Sequence, residues 1–247
     1  MVKGLFITAK SDIGLVRVEN QDHFKVGMIG EDAAVAVVCD GMGGAQSGGE
    51  ASEIAANVVF DRINLSFRRD FSPRSVQNML VTALRTANTV VYESSKTDKL
   101  KEGMGTTCVA AVAYGGTAYV SSVGDSRVYL LDDKGITQIT KDHTYVEMLH
   151  DQGKINESDA DAVKNISHII TKAIGTEETV DPDFFEVETP PKSVILLCSD
   201  GLTNYLTDEQ IYNFVYAKPL ESAMNDMINY CNESGGKDNI TIAIIVN

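Results

Sequence analysis

Four aspartates lie beside or just past apolar, strand-like runs, and three of them adjoin glycine. Val35-Ala36-Val37-Val38-Cys39 runs into Asp40-Gly41-Met42-Gly43-Gly44, and Val194-Ile195-Leu196-Leu197-Cys198 runs through Ser199 into Asp200-Gly201. Thr117 to Val123 leads into Gly124-Asp125-Ser126-Arg127, and Gly235-Gly236-Lys237-Asp238-Asn239 immediately precedes a last apolar run. A single Asp-Gly after a strand is ordinarily a turn, because glycine reaches the backbone angles a tight turn needs. Four in one chain point further. Strand ends of a layered domain can converge at one edge, where clustered carboxylates repel unless cations neutralise them. Oxygen ligands with no neighbouring histidine or cysteine favour magnesium or manganese over zinc. A glycine beside the aspartate also lets a backbone carbonyl approach an ion closely.

A second cluster lies near the N-terminus, from Asp12 through Arg17 to Asp22. The arginine offers a planar donor fork that fits phosphate oxygens, and Asp22 could reach a metal or its water. Other chemistries are disfavoured. The glycines at 43, 44, 48 and 49 are not followed by the Gly-Lys-Ser/Thr of a phosphate-binding loop. Cys39, Cys108, Cys198 and Cys231 form no paired motif, and none has an arginine six positions later, so they read as reduced structural thiols. His23, His143, His150 and His168 lack metal-ligand spacing. Asp159-Ala160-Asp161 resembles an aspartyl-phosphate signature but has no apolar strand before it, and reads as the surface of a helix.

The elements that must position these groups are visible as periodicity. Strands are predicted at Ala33 to Cys39, Thr107 to Ala113, Thr117 to Val123, Arg127 to Leu131, Val194 to Cys198 and Ile240 to Val246. Tyr114-Gly115-Gly116 and Asp132-Asp133-Lys134-Gly135 punctuate hairpins. Helical faces are formed by Ala51, Ile54, Ala55, Val58, Val59 and Ile63, and by Val76, Met79, Leu80, Ala83, Ala87 and Val90, the latter helix starting at Ser72-Pro73. Thr207 to Gln210 reads as a capping box, and a further helix runs through Leu220, Ala223, Met224, Met227 and Ile228. Hairpins rather than helical crossovers join the central strands, so an α+β, mainly antiparallel layered domain is expected. One domain spans 1–247, with helix plus flap from about 141 to 183.

Composition is ordinary for a soluble globular domain. Apolar residues make up 43% of the 247 positions, enough for one large core. A net charge of −14 with dispersed basic residues argues against nucleic acid. No run reaches the roughly 18 apolar residues of a membrane span, and a cytoplasmic location is expected.

Six segments, taken in order, resemble the metal-dependent protein phosphatases, the type-2C serine/threonine family, and especially its compact bacterial members. They are Arg17 to Asp22, Asp40 to Gly44, Gly103 to Thr107, Gly124 to Arg127, Ser199 to Leu202 and Lys237 to Thr241. The resemblance covers essentially the whole chain. It implies a four-layer αββα sandwich, with two antiparallel sheets flanked by helices on both outer faces and metals at one end. It further implies that Asp40 bridges two Mn2+ or Mg2+ ions, that Gly41 offers its carbonyl, and that Asp200 and Asp238 complete the core site. Asp22 would act through water, Asp125 with Asp200 would form a weaker third site, and Arg17 would grip the substrate phosphate. The implied reaction is attack of a metal-activated water on phosphoserine or phosphothreonine. Phosphorylated proteins and an opposing serine/threonine kinase are the implied partners, with a monomer as the default. Two residues depart from animal members: Met42 replaces a histidine thought to protonate the leaving group, and Gln21 replaces a glutamate. The alternative is a catalytically silent phosphoprotein-binding module on the same fold.

Overall fold

Apolar strands buried on both faces decide the layering. In the computed structural model, which describes residues 4–43, 47–155, 166 and 168–247, the strands are β1 (Phe6–Asp12), β2 (Asp22–Ile29), β3 (Ala33–Met42), β4 (Gly105–Thr106), β5 (Cys108–Tyr114), β6 (Thr117–Val123), β7 (Arg127–Asp132), β8 (Gly135–Gln138), β9 (Asp183–Glu188), β10 (Val194–Cys198) and β11 (Ile240–Val246). The helices are α1 (Ser47–Ser66), α2 (Pro73–Ser95), α3 (Tyr145–Asp151), α4 (Asp200–Thr203), α5 (Asp208–Ala217) and α6 (Leu220–Glu233). Two antiparallel sheets result, ordered β1-β11-β10-β7-β8 and β2-β3-β5-β6-β9, with β4 joining the second alongside β3.

Alternation along β3 shows the logic. Ala33, Val35, Val37 and Cys39 pack with the apolar faces of α1 and α2, whereas Ala34, Ala36 and Val38 join Val128, Leu130, Ile195, Leu197, Ala243 and Ile245 between the sheets. A third core, with Leu196, Ile242 and Ile244 on one side and Leu202, Ile211, Met224, Met227 and Ile228 on the other, seats α4, α5 and α6 on the opposite outer face. Continuous apolar runs therefore do not require a parallel sheet here. They arise because helices cover one face of each antiparallel sheet and the partner sheet covers the other.

The helix signals hold, with one shift. Ser72 caps α2 by accepting from the Ser75 N–H, Pro73 opens it, and Thr207 forms the capping box with Gln210. On α2 the buried stripe steps by four, Ala83 to Ala87 to Val91, so Val91 is buried and Val90 is 40% exposed. The stretch after β8 forms α3, capped by Thr144. Two isolated bridges, Thr144 to Ile170 and Thr106 to Ile174, tie the returning segment back to the body before β9. The Asp159 and Asp161 segment lies outside the described residues. All four cysteines are free and buried.

Candidate metal centre

Both sheets send carboxylates to the same end of the sandwich. Asp22 begins β2 and is the direct cross-strand neighbour of Asp40 on β3. Asp125 occupies the β6–β7 turn, Asp200 follows β10 by two residues, and Asp238 stands two residues before β11. Burial and then the charges of Asp22, Asp200, Asp125 and Asp238 push the Asp40 carboxyl well above the ordinary aspartate range, which makes Asp40 the hub of the group.

The glycines do different work from the turns expected of them. β3 does not end before Asp40: it continues through Gly41 and Met42, which pair with Thr106 and Gly105. Gly41 is required by proximity instead, since a Cβ there would stand 2.1 Å from the Gly48 carbonyl oxygen and 2.7 Å from that of Gln21. Asp200 likewise opens α4 rather than a turn, and a Cβ on Gly201 would lie 1.9 Å from the Asn239 carbonyl oxygen. Only Gly124, at φ +101, is the turn glycine predicted beside its aspartate.

Each aspartate is held by neighbours of its own. The Asp40 N–H donates to Thr107 Oγ1 at 3.0 Å, and its carbonyl accepts from the Thr107 N–H and the Thr106 hydroxyl, both at 2.8 Å. Ser199 reaches across the sheets to donate to Asp22 Oδ2 at 2.7 Å while accepting from the Thr241 N–H at 3.0 Å. Asn204 donates to Asp200 Oδ2 at 3.1 Å. Arg17 Nη2 donates to Asp238 Oδ2 at 2.8 Å. The next residue, Asn239, clamps the loop that carries Arg17: its amide donates to the carbonyls of Ile13 and Glu19 at 2.9 and 3.1 Å, and its oxygen accepts from the Gln21 N–H at 2.8 Å.

Asp125 and Asp200 line one small cleft of about 140 Å³ with Arg127, Asp142, Thr144, His168, Thr203 and Asn204. Asp142 binds Arg127 through both its oxygens, at 2.7 to 3.0 Å. His143 then accepts from the Gly124 N–H through Nδ1 at 3.0 Å and returns its own N–H to the Gly124 carbonyl, fixing the turn that presents Asp125.

Electrostatically the group is unsatisfied. Burial, with the Asp200 and Asp238 charges, raises Asp22 to about 7 despite the Ser199 bond, and burial with Asp200 and Asp142 raises Asp125 to about 7. Asp200 is raised by burial and then by Asp238, against the hydrogen bond from Asn204. Asp22 Oδ1, Asp125 Oδ1 and Asp200 Oδ1 are buried and receive no N–H or O–H donor. Buried carboxylate oxygens are rarely left without partners, and an ion is one accepted reason. An all-oxygen donor set of this kind fits a hard divalent cation. Among the described residues, ligand atoms of three acids or histidines come within 4.8 Å of one another only at Glu147, His150 and Asp151 on α3, which are largely exposed. The central aspartates are spread more widely than a single such trio.

The sequence-predicted residues Arg17, Asp22, Asp40, Gly41, Asp125, Asp200 and Asp238 are thus brought together. Reading the sequence missed Ser199, Asn204, Asn239, Asp142 and His143 as supports. Ser199 and Asn239 lay within recognised segments, but their contacts cross between sheets and loops far apart in the chain.

A helix-flanked double sheet that gathers acids from both sheets at one end suits a metal-dependent hydrolase. The sequence model of the protein phosphatase 2C family matches residues 17–242, and the chain belongs to that family. It is 32% identical over 241 residues to the serine/threonine phosphatase Stp of Listeria monocytogenes, covering 96% of this chain and 93% of that one. Its fold matches Stp1 of Staphylococcus aureus with a TM-score of 0.89 at 29% identity, over 98% and 95% of the two chains. It also matches the catalytic domain of the phosphatase PstP in complex with two manganese ions, with a TM-score of 0.81 at 30% identity over 98% of each. The protein is a serine/threonine phosphatase acting on phosphoproteins.

Proposed function

We propose that Asp40, Asp200 and Asp238 hold two Mn2+ or Mg2+ ions, joined by the Gly41 carbonyl and, through water, by Asp22. Asp125 with Asp200 forms a weaker third site on the neighbouring cleft wall, and Arg17 binds the substrate phosphate. The observation that carries this reading is the set of buried, donor-free oxygens on Asp22, Asp125 and Asp200 within one group of five acids. The two manganese ions bound by the related PstP domain support the choice of metal.

Bound divalent cations would supply charge neutralisation at the phosphoryl oxygens and an acidified water nucleophile. The protein's own groups do the rest. Arg17, half exposed beside Asp238, presents a guanidinium fork to the non-bridging phosphoryl oxygens from the solvent side. Thr106 and Thr107 fix the Asp40 backbone, so the hub carboxylate needs little rearrangement when charge develops. Met42, at the position of the animal histidine, carries no proton to give. Asp125 is the side chain suited to steer one to the departing seryl or threonyl oxygen.

The enzyme opposes a serine/threonine kinase of the same cell and works in the cytoplasm as a monomer, with residues 1–247 as one catalytic domain and a flap within about 141–183. No helix among the described residues is long and apolar enough to cross a membrane. The silent-module reading requires loss of a metal aspartate, and all are present. Phosphate release from a phosphothreonine peptide should require manganese and should vanish in Asp200→Asn. Release that survives in Asp200→Asn would sink the site assignment.

A further inference from the structure

Arg17 stands in a short loop whose polar ends, Asp12 and Asn20, are hydrogen-bonded while its aliphatic side chains face solvent. Leu15, Val16 and Val18 are 69%, 62% and 97% exposed, and Ile13 adds a partly exposed edge. Single exposed aliphatics are ordinary, but a run of them beside one arginine at the mouth of a polar site is a different pattern. Nor is the loop slack. Leu15 and Val16 donate their N–H groups to the Gly236 carbonyl at 2.7 and 3.1 Å, Gly14 donates to Asp12 Oδ1 at 2.9 Å, and the Asn239 amide holds the carbonyls of Ile13 and Glu19. With the backbone held on both sides of Arg17 and Val18, the loop keeps its apolar side chains toward solvent. They form a fixed ridge.

We propose that this ridge reads the protein substrate, seating an apolar side chain next to the phosphorylated residue on Val16 and Val18. The inference rests on Arg17 binding the phosphate. Continuity with that group selects the occupant: exposed Val16 and Val18 flank Arg17 in the chain, so they are the surface nearest to residues adjacent to a phosphate held there. The surrounding charge narrows the choice. Asp12, Glu19 and Asp238 lie in or beside the same loop, so acidic neighbours of the phosphoresidue are repelled while apolar ones gain contact. Recognition of this kind resides in the segment flanking the phosphate rather than in the phosphate itself.

The test compares two phosphothreonine peptides that differ only in the residues on either side of phosphothreonine, leucine in one and serine in the other. p-Nitrophenyl phosphate, which has no flanking residues, serves as the normalising substrate. Wild type should favour the leucine peptide by about tenfold in kcat/KM, mainly through KM. Val18→Ser, which replaces a side chain almost wholly in water, should bring that ratio close to one. Equal turnover of both peptides by wild type, or an undiminished preference in Val18→Ser, overturns the proposal. So does sedimentation showing self-association of wild type that Val18→Ser abolishes, since the ridge would then belong to a second copy. Failure to hydrolyse p-nitrophenyl phosphate at all would strike first at the site assignment, a result separate from the peptide ratio.

Discussion

Replacing Asp22 with asparagine should stabilise the metal-free protein by a margin that grows as pH rises from about 4 to about 7 and is constant above that. Burial and the nearby acids raise the folded Asp22 to about 7 from its ordinary 3.8. Between those two values the folded state keeps a proton that the unfolded chain has released. The stability this group contributes is therefore complete below about pH 4 and is lost as pH rises through about 7. A shift of about three units corresponds to about 4 kcal/mol. Asparagine has no charge to lose and can still accept the Ser199 hydroxyl through its amide oxygen. Urea or thermal unfolding in excess chelator, scanned from about pH 4.5 to 8, should show the two proteins converging at the acid end. At the alkaline end the variant should lead by about 4 kcal/mol, or roughly 8 °C or more in Tm for a chain of this size. Adding manganese should close the gap, because the cations then stabilise the wild-type acids. Parallel pH curves in chelator, or a variant that is weaker at pH 8, would refute the account of Asp22 as a frustrated charge.

Three further outcomes follow from the same geometry. Asp125→Ala should lower turnover by about a hundredfold or more while calorimetry still finds two manganese ions; unchanged turnover removes Asp125 from the mechanism. Asn239→Ala breaks three hydrogen bonds that hold the Arg17 loop, so it should raise KM for phosphopeptides and cost about 2–4 kcal/mol of stability; a KM equal to wild type would show that the clamp does not orient Arg17. Gly41→Ala forces a methyl group to within 2.1 Å of the Gly48 carbonyl oxygen, so denaturant unfolding should reveal a loss of about 3 kcal/mol or more; a loss under about 1 kcal/mol would show that β3 and α1 can separate there.

The two-sheet architecture was legible because strands such as Val194–Cys198 and Ile240–Val246 are almost wholly apolar, and the structure returns them with the same limits. β2 was not, although Phe24 and Val26 alternate toward the partner sheet, because Asp22, His23 and Lys25 break its apolar character. β9 is an edge strand, Asp-Phe-Phe-Glu-Val-Glu, whose charges resemble a loop when only one face is buried. In the site, the order of the aspartate segments told which residues meet. The purpose of the glycines was hidden. Gly41 and Gly124 look alike in a sequence, yet one allows two backbones to touch and the other allows a positive φ. Supports such as Ser199, which acts on a residue 177 positions away, become visible only once the sheets are stacked.

The alanines between the sheets carry a consequence for the chemistry at the end. Ala34, Ala36, Ala111, Ala113, Ala118 and Ala243 help fill the layer that separates the sheet of Asp22 and Asp40 from the sheet of Asp200 and Asp238. Their small volume sets how close the sheets lie, and close-packed interiors transmit such spacing over distance. The gap that the proposed cations would span is therefore a dimension gauged deep in the protein, by methyl groups remote from the acids themselves. Enlarging one of those side chains would retune metal affinity by widening the jaws of a vice rather than by altering a ligand.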